Sequence, residues 1–299
     1  MSFYLEQMED ISPLTNVLQE LAGIEDFEAY RFCDDFADEH KRYEVFKILS
    51  PRGVFVLKRF ENQRRFAQEQ EIYQRFSPEL PIPRVLGFSD GFMLMEYLEG
   101  KDLKEMSDES AYAAALSVAE LMNAFPLSGD YDRSACEKAI ETREKRLACL
   151  AEKPVLHAAY TLFLERLRNM PLCFAHNDFV PLNCLYTGER VYILDWEYGA
   201  FLPYTLDLGR FLAHAGEEAA FPYRMTEKQK EIFLTTIYAK LREKPEKSVF
   251  ERDVALAVLD ECVMVLNYYY EHPDDPKDES FFAYERRALA LAGALTRGE

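Results

Sequence analysis

Three oxygen-bearing side chains stand out by their spacing: Asp178, Asn183 and Asp195, within CFAHNDFVPLNCLYTGERVYILDWEYG at 173–199. Asn183-Cys184-Leu185-Tyr186 and Val191-Tyr192-Ile193-Leu194 read as short strands joined across Thr187-Gly188-Glu189-Arg190. In an antiparallel hairpin, positions equidistant from the turn face each other. Asn183 and Asp195 average to position 189, so they are expected to emerge together at the open end of the hairpin. Asp178 precedes them in a loop where Pro181 excludes regular helix. Asn and Asp often do no more than cap turns, but all three at this spacing form a set of hard oxygen donors. Such donors suit Mg²⁺, which takes one or two carboxylates together with phosphate oxygens. A carboxylate beside the metal but not consumed by it can orient a hydroxyl and accept its proton.

A second candidate is Lys58 in GVFVLKRF, 53–60. Strand alternation puts Val54, Val56 and Lys58 on one face. A Lys ending such a face either snorkels to water or aims at a partner. The helical stretch that follows, NQRRFAQEQEIYQRF at 62–76, offers Glu69 and Glu71 as partners.

Positioning these groups falls to two regions of different texture. Residues 1–26 carry one amphipathic helical stretch with Leu14, Leu18 and Leu21. Strand-like runs follow at 28–32, 42–49 and 53–60, the last two joined by the tight turn Pro51-Arg52-Gly53, and an antiparallel meander is expected. After the 62–76 helix, PELPIPRVLG (78–87) is extended by its prolines and FMLMEYL (92–98) is a further strand. From Ser107 the pattern turns helical, over 108–125, 132–151, 154–169, 204–215, 227–243, 249–271 and 279–296, interrupted by an extended island at 172–198. The fold class is therefore α+β: a small antiparallel β-rich N-terminal region, 1–99, and a larger helical C-terminal region, 100–299.

Composition narrows the function. The chain has 299 residues, 48% of them hydrophobic, with 35 basic and 53 acidic residues for a net charge of −18. That charge argues against nucleic-acid or anionic-membrane partners, which are bound through Lys and Arg. It favours solubility and, weakly, a cationic small-molecule ligand. The six cysteines form no Cys-x-x-Cys pair, so no zinc spacing arises, and reduced thiols fit a cytoplasmic protein. The N-terminus lacks a basic-then-apolar signal pattern, and no apolar run reaches the ~18 residues of a membrane span.

HNDFVPLN followed by ILDWE resembles the aminoglycoside phosphotransferase/choline kinase superfamily, which has a protein-kinase-like two-lobed fold. The His-Asn-Asp opening and the Asp-Trp-Glu-Tyr run are most similar to its choline/ethanolamine kinase branch, including bacterial choline-kinase-like proteins. The resemblance runs in order along nearly the whole chain, from a five-stranded first lobe that binds nucleotide to a helical second lobe that holds the acceptor. It implies a small-molecule kinase with ATP as co-substrate and Mg²⁺ as cofactor, acting on a hydroxyl acceptor. Asp178 would be the catalytic base, Asn183 and Asp195 the Mg²⁺ ligands, and His176 a structural holder of the loop. Asp207, in YTLDLGRF, would brace the loop backbone. Lys58 would meet the phosphates and a helix Glu, Glu69 by the family's register with Glu71 as fallback. FMLMEYLEG resembles the hinge, where backbone groups of Glu96 and Leu98 would bind adenine with Met95 behind the base.

One segment departs from the family pattern. CDDFADEHKR, 33–42, has no glycine and several acids where phosphates should be covered. An acidic loop repels ATP unless its side chains point away; Lys41 or Arg42 could compensate. This motivates an alternative reading, a catalytically weak nucleotide-binding or scaffold protein of the same fold. For the acceptor, Tyr268 and Tyr269 in NYYYEHPDD could offer aromatic faces to an ammonium group, although the consecutive tyrosines 268–270 point in different directions. Glu197 could also face the acceptor. The single Trp, Trp196, lies in the proposed metal turn, whereas choline pockets of the family usually draw on more Trp, which leaves an antibiotic or sugar kinase as the competitor.

Overall fold

The computed structural model describes residues 3–36, 39–76 and 79–297, the side chains of 3 and 34–40 apart. The chain divides into two compact units: residues 1–99 with 194–197, and residues 100–193 with 198–299.

The first unit is a six-stranded antiparallel sheet with two helices. Its strands are β1 (Phe3–Gln7), β2 (Glu28–Phe36), β3 (Glu39–Ser50), β4 (Gly53–Arg59), β5 (Val85–Ser89) and β6 (Phe92–Glu96), in the order β1-β2-β3-β4-β6-β5. Helix α1 (Ser12–Ala22) lays Leu14 and Leu18 against Phe46, Ile48, Leu57 and Leu94 of the sheet. Each such burial stabilises by roughly 1.5–3 kcal/mol. In β4, Leu57 faces this core and is fully buried, which sends Lys58 to the opposite face with Val56. Helix α2 (Gln63–Gln74) starts where the Asn62 side chain accepts from the Arg65 amide at 2.9 Å.

Two expectations need correction here. The N-terminal stretch holds the expected helix as α1, but FYLEQ before it forms β1, pairing Leu5 with Phe32, so the sheet has six strands and not five. A helical pattern at 14–21 says nothing about the residues before its start, and an edge strand needs only a partner. The long turn at 33–42 is mostly strand, since β2 and β3 pair as far as Phe36 and Glu39. What remains of that turn, Ala37-Asp38, lies outside the described residues, as do the side chains of the acids at 34, 35, 38 and 39.

The second unit is helical, with short strands that hold one loop. Its elements are β7 (Lys101–Asp102), α3 (Asp108–Ala124), α4 (Ser134–Glu144), α5 (Pro154–Asn169), β8 (Leu172–Ala175), β9 (Cys184–Tyr186), β10 (Val191–Ile193), β11 (Ala200–Pro203), α6 (Leu206–Ala213), β12 (Ala215–Gly216), β13 (Tyr223–Arg224), α7 (Glu227–Lys240), α8 (Lys247–Glu271) and α9 (Glu279–Arg297). The expected 132–151 helix ends at Glu144 and continues as 3-10 turns to Leu150. The core gathers α5, α6, α8 and α9, with Tyr160, Phe163, Leu259 and Phe281 fully buried. Buried carboxylates on α8 are all paired. Asp253 takes Arg166 at 2.7 Å and Tyr204 at 2.9 Å, and Asp260 takes Arg143 at 2.6 Å, Arg146 at 2.7 Å and Tyr160 at 2.8 Å. No helix among the described residues is long and apolar enough to cross a membrane.

Candidate functional site

In the first unit, the side chain of Lys58 joins three segments of sequence. Its Nζ lies 2.8 Å from Glu69 Oε2 on α2 and 2.8 Å from Asp195 Oδ1. Glu69 is fully buried, and that burial pushes its carboxyl up to about 6 against the opposing pull of the Lys58 charge and hydrogen bonds. For Lys58, burial favours the neutral amine, but the charges of Glu69 and Asp195 outweigh it and hold the ammonium above its ordinary value. Asp195 takes a left-handed backbone, φ +61°, which Asp tolerates better than most residues.

Why residues 194–197 belong with this unit is visible in their contacts. Trp196 is buried and meets Phe76 edge-on at 4.7 Å, Arg65 Nη1 lies 3.6 Å from Glu197 Oε2, and Gln68 Nε2 donates to the Glu197 carbonyl at 3.0 Å. Glu197 is thus tied to α2. Glu71 is exposed and paired with Arg75 at 2.6 Å, one turn on, so α2 offers Glu69 and not Glu71 to Lys58. In the hinge-like strand Met95 is buried, the Glu96 amide donates to the Arg84 carbonyl at 3.0 Å, and the Glu96 carboxylate accepts the Arg84 amide at 2.8 Å. Leu98, partly buried, follows the end of β6.

In the second unit, the loop after β8 is held from below. Pairing of β8 with β11 brings the start of α6 beneath it, where Asp207 accepts the amides of His176 at 2.6 Å and Asn177 at 2.9 Å. Burial pushes the Asp207 carboxyl up, and the two amides it accepts oppose that. Asn177 sits at φ +64°, and buried His176 accepts the Asp178 amide on Nδ1 at 3.2 Å. The loop is therefore over-determined, with Asp178 at its tip. Asn183 Nδ2 donates to the Asp178 carbonyl at 2.9 Å and lies 3.3 Å from Asp178 Oδ2.

The hairpin register differs slightly from expectation. Tyr186 faces Val191 and Cys184 faces Ile193, so the turn centres between Gly188 and Glu189 and not on Glu189. The ladder ends before Asn183, and Asp195 falls in the other compact unit.

Three residues absent from the sequence reading bear on this loop, of which Arg210 bonds to it directly. Arg210 on α6 places Nη2 2.6 Å and Nε 3.0 Å from Asp178 Oδ1, and Nη1 2.9 Å from Glu261 Oε2 on α8. Arg210 was findable as one turn beyond Asp207; Glu261 carried no local signal. Tyr223 adds a hydroxyl pushed up to about 12 by burial and then by the Asp178 charge. Tyr268 and Tyr269 lie at the end of α8. The exposed Tyr268 bonds Asp275 at 3.0 Å and stacks on His272, while Tyr269 bonds Asp278 at 3.0 Å and packs on Phe281.

Comparison with known proteins gives this geometry a context. Residues 37–243 match the phosphotransferase enzyme family. Protein LicA of Haemophilus influenzae is 27% identical over 143 residues, 47% of this chain, and the match spans 39% of one form of that relative and 49% of another. Among solved structures, an aminoglycoside phosphotransferase from Alicyclobacillus acidocaldarius superposes with a TM-score of 0.61 at 16% identity, covering 98% of this chain and 97% of that one. Choline kinase LicA from Streptococcus pneumoniae gives 0.58 at 16% identity over 94% and 98%. Choline kinase from Cryptosporidium parvum gives 0.60 at 12% identity over 97% and 96%. The fold is accordingly the protein-kinase-like α+β class expected from the sequence.

Proposed function

The chain belongs to the phosphotransferase enzyme family, and on that premise we propose that it transfers the γ-phosphoryl of ATP to a hydroxyl of a small molecule. The observation that carries this reading is Lys58 held between Glu69 and Asp195, an ammonium fixed where phosphates would be oriented. In this reading residues 1–99 bind the nucleotide, with the Glu96 carbonyl and Leu98 backbone at adenine and Met95 behind it. Residues 100–299 hold the acceptor.

The oxygen chemistry of Asn183 and Asp195 supports Mg²⁺ as the ion of this reading. Asn183 commits its Nδ2 to Asp178, which turns its amide oxygen to the other side, and Asp195 supplies a carboxylate. Glu69 and Asp195 together outnumber the Lys58 charge by one, which supports a further cation in this reading. Bound there, Mg²⁺ would neutralise phosphate charge. Asp178 orients the acceptor hydroxyl and receives its proton as the oxygen attacks the γ-phosphorus and ADP departs with the electrons of the broken P–O bond.

For the acceptor we propose a choline- or ethanolamine-like alcohol, or an aminoglycoside. The structural neighbours named for choline and aminoglycosides support these classes, as does the net charge of −18. Tyr268, exposed at the end of α8, is the aromatic face proposed for a cationic group, with Tyr269 bracing it. The free cysteines support a reducing, cytoplasmic setting.

The test pairs transfer with binding. Asp178→Ala should abolish phosphoryl transfer while nucleotide affinity stays within about threefold, the signature of a group needed only in the transition state. Asp195→Ala should remove the Mg²⁺-dependent part of nucleotide binding. Full transfer in the first variant, or identical titrations with and without Mg²⁺ in wild type and the second, would overturn the assignment. Nucleotide binding without transfer to any acceptor would favour the scaffold alternative.

A further inference from the structure

Asp178 is not alone in its loop. Both hydrogen bonds from Arg210 fall on one carboxylate oxygen, Oδ1, from Nε at 3.0 Å and Nη2 at 2.6 Å. Asn183 lies nearer the other oxygen, Oδ2, at 3.3 Å. The third guanidinium nitrogen, Nη1, goes to Glu261 Oε2 at 2.9 Å, and Glu261 is buried. His214 Nε2 meets the same Glu261 oxygen at 3.3 Å, and its Nδ1 lies 2.6 Å from the buried Tyr284 hydroxyl. Burial alone would raise the Glu261 carboxyl, but the His214 hydrogen bond and the Arg210 charge outweigh it and leave it below its ordinary value. Glu261 thus stands behind the guanidinium as its ion-pair partner.

We propose that Arg210 is the positioning residue for Asp178, and that Glu261, with His214 and Tyr284 behind it, is the fixed counter-charge that lets Arg210 do this. The proposal rests on the reading of Asp178 as the group that receives the acceptor proton. Arg210 on Oδ1 and Asn183 Nδ2 at 3.3 Å from Oδ2 together orient the carboxylate, and the proposal gives the acceptor hydroxyl to the remaining lone pair of Oδ2. When the acceptor oxygen attacks phosphorus, its proton passes to Oδ2, the bond from phosphorus to the ADP oxygen breaks, and Asp178 becomes neutral. Glu261, 2.9 Å from Nη1, holds the guanidinium from its other side, so its aim at Oδ1 does not rest on Asp178 alone.

The backbone is arranged to allow the contact. A Cβ on Gly209 would stand 2.5 Å from the Ala257 carbonyl carbon, so only glycine lets α6 approach α8 this closely, one residue before Arg210 and one turn before Glu261.

The experiment uses the whole protein. Arg210→Ala and Glu261→Gln are compared with wild type in steady-state transfer. Misplacing a reacting group by about 1 Å can cost on the order of 100-fold, and Arg210→Ala should lower kcat by about that factor with KM for ATP unchanged. Arg210→Lys should recover part of the loss, and methylguanidinium added to Arg210→Ala at millimolar concentration should recover more than methylammonium does. Glu261→Gln should lose about tenfold, the smaller effect of a counter-charge acting through Arg210. A kcat for Arg210→Ala within threefold of wild type, while Asp178→Ala is inactive, overturns the proposal and leaves the kinase reading intact. A second measurement needs no turnover: crystal structures of wild type and Arg210→Ala with Mg²⁺ and a non-hydrolysable ATP analogue. The proposal requires the Asp178 carboxylate to lose its single orientation in the variant, and an unmoved carboxylate rejects it even if no acceptor has been found.

Discussion

Lys58 Nζ stands 2.8 Å from Glu69 Oε2 and 2.8 Å from Asp195 Oδ1, so one ammonium is shared by a buried and a half-exposed carboxylate. The two partners are unequal in what they lose if it goes. Asp195 can turn to water, whereas Glu69 has no exposed surface.

Lys58→Met should therefore destabilise the protein through Glu69. Removing one partner of a buried pair costs about 3–5 kcal/mol because the other charge is left behind. The loss should be near that range at pH 8, where Glu69 is ionised, and clearly smaller at pH 5, where the carboxyl can hold a proton. Urea unfolding at the two pH values measures it. Equal losses at both would show that Glu69 is not the group left unpaired.

Wild-type stability should itself carry a Glu69 signature. Its folded value is about 6 against an ordinary 4.5, so between these values the folded state binds more protons than the unfolded state. The contribution is complete below pH 4.5 and is lost as pH rises through 6. The shift is worth about 2 kcal/mol by linkage. Glu69→Gln cannot titrate and serves as the reference, with chelator present throughout. Wild type minus variant should fall by about that amount from pH 4 to 7, and parallel curves would remove burial as the dominant influence on Glu69.

Asp207→Ala should loosen the loop that carries Asp178. Two amides, His176 and Asn177, lose their acceptor at 2.6 and 2.9 Å. An unsatisfied donor at buried His176 costs about 1–3 kcal/mol, whereas exposed Asn177 can turn to water, so a loss of about 1–3 kcal/mol is expected in thermal or urea unfolding. Amide exchange at 176 and 177 should accelerate well beyond that of β8. Unchanged exchange at those two positions would mean that the brace lies elsewhere.

Much of this was readable before any coordinates, and the pattern of what was not is physical. Composition rich in Ala, Leu, Glu and Arg located the long C-terminal helices, of which α5, α8 and α9 share a common core. Asp178, Asn183 and Asp195 announced themselves because a loop of hard oxygen donors flanked by short strands is a local pattern. Strand ends were less legible: nothing in CDDFADEHKR says that ladder pairing continues to Phe36 and Glu39. The N-terminal strand β1 was hidden because its only stabilisation is a partner met about 27 residues later, Leu5 against Phe32. Glu261 was hidden for the same reason. Its partner Arg210 is 51 residues away, and on α8 it is one of three buried acids, two of which serve only packing and ion pairing.

The crossing of α6 and α8 supplies the last prediction, because it depends on a single missing carbon. Gly209 is helical and needs no unusual backbone angle, so helix propensity alone would favour Ala there by about 1 kcal/mol. Packing reverses that sign. The added Cβ would meet the Ala257 carbonyl carbon at 2.5 Å, its Cβ at 2.6 Å and its oxygen at 2.6 Å, and two of these three atoms are backbone of α8. Overpacking of this kind costs typically 1–3 kcal/mol, so Gly209→Ala should destabilise despite its better propensity. The helices must separate to accept the carbon, which lengthens Arg210 to Glu261 from 2.9 Å. Gly209→Ala should accordingly lower kcat more than its modest loss of stability explains, and Ala257→Gly in the same chain should restore part of both, since it removes one of the clashing atoms. A stabilised Gly209→Ala protein would show that α6 and α8 do not meet as closely as this contact requires.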